Sequence, residues 1–127
     1  MKKIDNTAEH SITEQRSKFH ALVFPASNLD DVKSMVRKQA RKHHKARHHC
    51  WACRVEGDAG ELLEQARDDG EVGRPGLGML ALLRRCDMQG GIVVSRFFGG
   101  IKLGPGGVSR AFREAAKGAI EKIMENK

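Results

Sequence analysis

One stretch constrains the fold of this chain more than any other: Phe97-Phe98-Gly99-Gly100-Ile101-Lys102-Leu103-Gly104-Pro105-Gly106-Gly107. Before it stands Ile92-Val93-Val94-Ser95-Arg96, whose unbroken apolar start suits a central strand. After it, Phe112, Ala115, Ala116, Ala119, Ile120 and Ile123 recur at helical spacing, with Ser109 as a candidate cap. The run therefore reads as a strand-to-helix loop. A helix N-terminus offers unpaired N–H groups and a partial positive charge, and glycines allow an anion to approach them. Gly99, Gly100, Gly104, Gly106 and Gly107 would form such a cradle, with Lys102 and Arg110 bracketing the anion and Arg96 approaching from the strand end. No Gly-Lys-Ser/Thr follows a four-residue gap, so this is not a Walker loop. The plainer role for the glycines is a tight turn with close helix–strand packing.

The remaining elements follow from periodicity and punctuation. Ser11 to Thr13 reads as a short strand, and Ser17 to Phe24 alternates as another until Pro25 stops it. Ser27 or Asn28 caps a helix with Asp30 and Asp31 in its first turn and an apolar stripe of Leu29, Val32, Met35, Val36 and Ala40. Arg47 to Val55 reads as a strand, and Glu61 to Ala66 as a further strand or a short helix. Pro75 opens a further helix, with Leu77, Leu80, Ala81 and Leu83 on its buried side. Strands on one side and three helices on the other predict a single α/β domain, a two-layer sandwich over residues 1–127.

Charge is concentrated. The net charge of the 127 residues is +7, yet Val32 to Val55 holds eight Lys or Arg and no Asp or Glu, whereas the rest is balanced. Arg37, Lys38, Arg41, Lys42, Lys45 and Arg47 predict a basic surface that favours polyanions, although cations near a helix C-terminus are favoured in any case. Asp68, Asp69 and Glu71, with Arg74 behind them, form a compact acidic motif expected beside the glycine loop. These carboxylates could hold Mg²⁺ or move protons. They could equally brace the next helix or pair with Arg74 or Lys102. The group His43, His44, His48, His49, Cys50 and Cys53 resembles a metal site in composition. If Arg47 to Val55 is a strand, however, Cys50 and Cys53 point to opposite faces and cannot share a tetrahedral ion, so no metal and no cofactor is expected. In that phase Trp51, Cys53 and Val55 face the core, and His48, Cys50 and Arg54 lie on the other side. An odd cysteine count without an apolar N-terminal signal core points to free thiols and a cytoplasmic protein, and no stretch is long enough for a membrane span.

Four motifs in order, Arg16-Ser17-Lys18-Phe19, Arg47-His48-His49-Cys50-Trp51-Ala52-Cys53-Arg54, Asp68-Asp69-Gly70-Glu71 and Val94-Ser95-Arg96-Phe97-Phe98-Gly99-Gly100-Ile101-Lys102-Leu103-Gly104, resemble the Impact family, from about His10 to Ile123. The resemblance implies the fold of the second domain of the fifth small-subunit ribosomal protein, shared with RNA binders and with small-molecule kinases. It also implies a link to translation, since the eukaryotic branch restrains the kinase that responds to amino-acid starvation by competing for its ribosome-associated activator. Only Val72 separates the acidic motif from Gly73-Arg74-Pro75, a shorter stretch than the family's usual one. The chain is expected to be the shared domain alone. The leading expectation is a non-catalytic binding module contacting RNA, the ribosome or a translation-regulator protein. Its rival is an enzyme acting on a phosphorylated small molecule or nucleotide held by the glycine loop, although no Ser-His or Cys-His arrangement is legible.

Overall fold

A computed structural model describes residues 1–125. Strands β1 (Lys2–Lys3), β2 (Ala8–Glu14), β3 (Ser17–Phe24), β4 (His48–Glu56), β5 (Leu62–Arg67) and β6 (Met88–Phe97) alternate with helices α1 (Leu29–Lys42), α2 (Pro75–Arg85) and α3 (Gly104–Glu125). The sheet order is β2-β3-β6-β4-β5, with every pair on this path antiparallel, and the short β1 adds in parallel to β6. The run of apolar residues from Ile92 thus marks the central strand, as its composition requires.

The α/β class and the set of one sheet and three helices are as expected. The placement of the helices differs. Phe19, Ala21, Val23, Cys50, Ala52, Ile92 and Val94 pack under α2 and α3. On the opposite face, Leu22, Phe24, Trp51, Cys53, Val55 and Val93 pack with Val32, Leu29, Met35 and Val36 of α1. Consecutive apolar residues in β3, β4 and β6 leave no face of the sheet centre that water could wet, so both faces are covered. Cys50 and Arg54, placed away from the core by the alternation, are therefore themselves buried, on the α2–α3 side. Arg54 is neutralised there by Glu64 at 2.9 Å, and its guanidinium also donates to the Leu83 and Met88 carbonyls.

Two helix assignments shift. α3 begins at Gly104, five residues before the expected cap, so Ser109 lies inside it and accepts from Arg113. Pro105 follows the left-handed Gly104 in the first turn, where its fixed φ is favourable and its missing N–H costs nothing. The glycine-rich run is thus a connection of residues 98–103 plus the first turn of a helix. In α2 the buried set is Pro75, Gly76, Met79, Leu80, Leu82 and Leu83, while Leu77 is 53% exposed and Ala81 also faces solvent. Asn28 caps α1 by accepting the Asp31 N–H at 2.9 Å and Phe24 ends β3, as expected, whereas the strand expected over Ser11 to Thr13 extends over Ala8–Glu14 and Gln39 is buried in α1 beside the expected stripe.

α3 lies close on the sheet through small residues, Ala111, Ala115, Ala116 and Ala119, with Phe112 edge-on to Phe19 at 5.2 Å. The β2–β3 hairpin is closed by Gln15 and Arg16, both left-handed, between the paired Glu14 and Ser17. That is the type I′ arrangement, which Asn-Gly adopts without strain and Gln-Arg does not. The pair Gln15→Asn with Arg16→Gly is expected to stabilise the protein by about 1 kcal/mol, seen as a melting temperature several degrees higher; an unchanged or lower melting temperature would show that Arg16 contacts outweigh the strain.

Candidate binding surface

Where β5 ends at Arg67, the acidic motif takes over its pairing with β4. The Asp69 carboxylate accepts the backbone N–H of His49 at 2.8 Å, and the Asp69 carbonyl accepts from Nδ1 of His48 at 2.7 Å, which fixes that imidazole's tautomer. Asp68 accepts the Gly76 N–H at 2.9 Å, so it caps α2, whose own cap residue Arg74 is left-handed and makes no side-chain cap bond. The Cys50 thiol donates to the Asp68 carbonyl at 3.1 Å, and burial, then Glu71, pushes its pKa up, so it remains a thiol.

Glu71 goes deeper. Both of its carboxylate oxygens accept from Nη1 of Arg96 at 3.0 Å, and the two side chains are 3% and 7% exposed. His48 stands 3.8 Å from the same carboxylate, and the guanidinium lies over the rings of Phe19 and Phe98 at 5.5 Å. The acidic motif pairs with neither Arg74 nor Lys102. Glu71 is turned inward, Asp68 is half-buried and Asp69 stays at the surface, and through their bonds the three hold the β5–α2 connection against β4 and β6.

The glycine connection sits beside this brace. Gly73 meets the Pro105 carbonyl so closely that any side chain there would collide with it, which ties the acidic loop to the first turn of α3. Gly99 is pressed in the same way on Arg16 at the β2–β3 turn, and its N–H donates to the Ser17 hydroxyl at 3.2 Å. Gly100, Gly104 and Gly106 have open space beside them, and with Lys102 they are exposed.

The expected anion bracket is therefore only partly assembled. Lys102 is available at the surface, but Arg96 is committed to Glu71. Arg110 lies on the flank of α3, lining a cleft against α2 together with Arg85, Arg113 and Lys117. The basic surface is present: Arg37, Lys38, Arg41, Lys42, Lys45 and Arg47 are all exposed. Arg47 stacks its guanidinium over Phe98 at 4.5 Å, so the surface running down the end of α1 is continuous with the glycine connection.

Register creates contacts that sequence reasoning missed. His49 is opposite Ser95, and Nδ1 lies 2.7 Å from its hydroxyl; His20 is opposite Ser11 at 2.7 Å, with Glu9 on its other nitrogen at 3.3 Å. Strand phase could be read from alternation, but not which residue of a partner strand stands opposite. Ser95 is 1% exposed, so the His49–Ser95 pair ties strands together and does not present a nucleophile. The His43 ring stacks on His20 at 4.8 Å and meets Phe97 edge-on. Burial, then His20, lowers the pKa of His43; burial likewise lowers that of His49 against the opposing pull of Asp69. Cys50 and Cys53 do face opposite sides, and among the described residues no three His, Cys, Asp or Glu side chains are grouped to hold a metal ion.

The model of the Impact N-terminal domain matches residues 15–120. The chain belongs to the Impact family. It is 32% identical over 122 residues to the IMPACT family member YvyE of Bacillus subtilis, covering 94% of this chain and 55% of that protein. It is 35% identical over 99 residues to Protein IMPACT of Rattus norvegicus, covering 74% and 31%. Among solved structures, the crystal structure of a hypothetical protein superposes with a TM-score of 0.84 at 28% identity, over 91% of this chain and 57% of that one. The two-domain translational regulator Yih1 superposes with a TM-score of 0.62 at 27% identity, over 94% and 47%. The Impact chain described here thus spans about half the length of the bacterial relative and a smaller share of the rat one.

Two outcomes follow from this geometry. Glu71→Ala leaves the Arg96 guanidinium buried and uncompensated, and is expected to cost about 3–5 kcal/mol in urea unfolding; a loss below about 1 kcal/mol would mean that the pair does not hold the loop. His43 and His49 have folded pKa values below the ordinary 6.5, so the unfolded chain binds more protons in that window. Their contribution is complete above the ordinary value and is lost as pH falls towards the folded values. The urea midpoint should fall between about pH 7 and pH 5, and fall less in the variant His43→Gln with His49→Gln.

Proposed function

We propose that this Impact domain is a binding module linked to translation or its regulation, docking on RNA or the ribosome through the basic end of α1 and the adjoining glycine connection. The observation that carries the reading is the separation of charge at this end of the molecule. Arg37, Lys38, Arg41, Lys42, Lys45 and Arg47 are exposed, while Glu71 is buried under Arg96, and Asp68 and Asp69 are spent on backbone N–H groups. A polyanion approaching α1 therefore meets a positive field from which the Glu71 carboxylate is shielded, with Glu9 beside Lys42 as a local exception.

Arg47 on Phe98 joins that field to Lys102 and the exposed first turn of α3, whose amide dipoles also favour phosphate. The two-domain translational regulator Yih1, which shares the fold, supports the link to translation. A catalytic reading would need the three carboxylates free around a bound phosphate, and their hydrogen bonds count against it. A translation-regulator protein with an acidic face would use the same surface, and nuclease treatment separates it from RNA.

The test is co-sedimentation with ribosomes and anisotropy with a labelled RNA, from about 50 to about 200 mM salt. Affinity should fall steeply with salt, and Lys38→Glu with Arg41→Glu and Lys42→Glu should weaken binding more than tenfold and flatten the log–log salt slope by roughly 3. Undiminished RNA affinity in that variant would remove α1 as the contact surface. Absence of any association at low salt would remove the RNA reading altogether.

A further inference from the structure

On the sheet face opposite α1, the shifted phase of α2 leaves a cleft. Its floor is Gly78, Ala81 and Leu82 of α2, and its walls carry Arg85, Arg110, Arg113 and Lys117, with Glu114 as the one carboxylate. The floor is small because α3 crosses here: a side chain at Gly78 would press on the aliphatic stem of Arg113. Leu77, one turn before Ala81, extends the apolar strip and is 53% exposed.

The cations are weakly engaged. Arg113 donates to Ser109 at 3.3 Å, and Lys117 is 4.0 Å from Glu121. Arg85 and Arg110 have no carboxylate partner among the described residues. Arg85 sits in the last turn of α2, where a cation is favoured on its own account. Arg110, Arg113 and Lys117 stand three and four residues apart, so they share one face of α3. No such account covers these three cations, which are near the middle of a 22-residue helix.

We infer that this cleft is a second docking site, taking an acidic, amphipathic helical segment of a protein partner whose apolar side chains enter the Gly78–Ala81–Leu82 floor while its carboxylates meet Arg85, Arg110, Arg113 and Lys117. The volume, about 260 Å³, falls short of a usual small-molecule site and suits the anchor side chains of a partner. Charge complementarity selects an acidic occupant, and arginine is suited to bidentate carboxylate recognition. Two features favour a peptide over nucleic acid. None of the lining residues is aromatic, so the cleft lacks the ring platforms on which single-stranded bases stack best, and Glu114 interrupts the cationic track that a phosphate backbone would follow while giving a peptide donor an acceptor. The site is separate from the α1 cations, which lie across the sheet, while the glycine connection enters α3 less than two turns before Arg110.

The experiment titrates the intact chain with a synthetic amphipathic helical peptide carrying glutamates at successive turns beside a leucine face, followed by backbone amide shifts and by anisotropy. Shifts should centre on Gly78, Ala81 and the stretch from Arg110 to Lys117. Arg85→Glu with Arg110→Glu should weaken the peptide about tenfold or more, whereas Lys38→Glu with Arg41→Glu and Lys42→Glu should leave it within about twofold. Circular dichroism of both variants checks the fold, and Ala81→Glu, which puts a repelling carboxylate on an exposed floor position without touching the core, gives a second route to the same loss. No detectable peptide binding, shifts centred on α1, or a groove variant that loses labelled RNA but keeps the peptide would each overturn the assignment. Loss of RNA binding in the α1 variant alone bears only on the reading above.

Discussion

The buried pair between Glu71 and Arg96 is the constraint on which the functional end of the molecule depends. A carboxylate and a guanidinium, each taken almost entirely out of water, are costly unless geometry and further bonds compensate them. Here both oxygens of Glu71 are engaged, and the guanidinium lies 5.5 Å from the ring centres of both Phe19 and Phe98. Arg96 belongs to the central strand, Glu71 to the β5–α2 connection, Phe19 to β3, and Phe98 to the glycine connection. One interaction thus fixes four segments that are far apart in the chain. It also forces the neighbours into place: with Glu71 held, Gly73 must pass close to Pro105, and only a residue without a side chain fits there.

The short stretch after Glu71 acquires a physical meaning in this frame. The chain must turn from a buried carboxylate into the first helical residue, Pro75, through Val72, Gly73 and Arg74 alone. It does so by placing Gly73 and Arg74 in the left-handed region, and Asp68 supplies from a distance the cap that a left-handed Arg74 does not provide. A left-handed arginine is strained, and the ion pair and the Asp68 cap are what hold it. The acidic motif is therefore a fastening for the loop, and the surface it leaves outside is basic.

Much of this was legible from residue order. The central strand was marked by Ile92-Val93-Val94, the first helix by Asn28 and its acidic first turn, and the opposite facing of Cys50 and Cys53 by simple alternation. The failures have physical reasons. Glycine's poor helix propensity concealed that Gly104-Pro105-Gly106-Gly107 is a first turn, where proline and exposed amides outweigh propensity. The phase of α2 was misjudged because Leu77 is apolar yet solvent-facing, and a stripe rich in leucine fits more than one face. The division of the helices between two faces was encoded in the doubly apolar strands, but weighing it required knowing that β3, β6 and β4 are neighbours. Of the candidate site, the exposed cations could be read directly, because charged residues at the end of an amphipathic helix have nowhere else to go. The commitment of Arg96 could not, since a strand arginine next to a glycine run looks like a ligand-binding cation until its buried partner is located.

The distribution of charge then becomes a consequence of the fold. Asp68 and Asp69 are tied to backbone N–H groups and Glu71 is drawn inward by Arg96, because the sheet edge beyond β5 and the start of α2 would otherwise leave donors unpaired. The cations in α1 and in the loop after it have no comparable demand from the interior and stay outside. Of that surface, Lys42 alone has a carboxylate within ion-pair distance among the described residues, Glu9 at 3.9 Å. The same logic runs on the opposite face, where α2 and α3 bury leucines, alanines and Phe112 against the sheet and turn Arg85, Arg110, Arg113 and Lys117 outward into one cleft. Two cationic surfaces on opposite sides of one sheet cannot be covered by one small ligand. They can be engaged together only by a partner that wraps the domain, or by two partners that bind without competing, and a charge change on one face should then leave the other partner's affinity nearly intact.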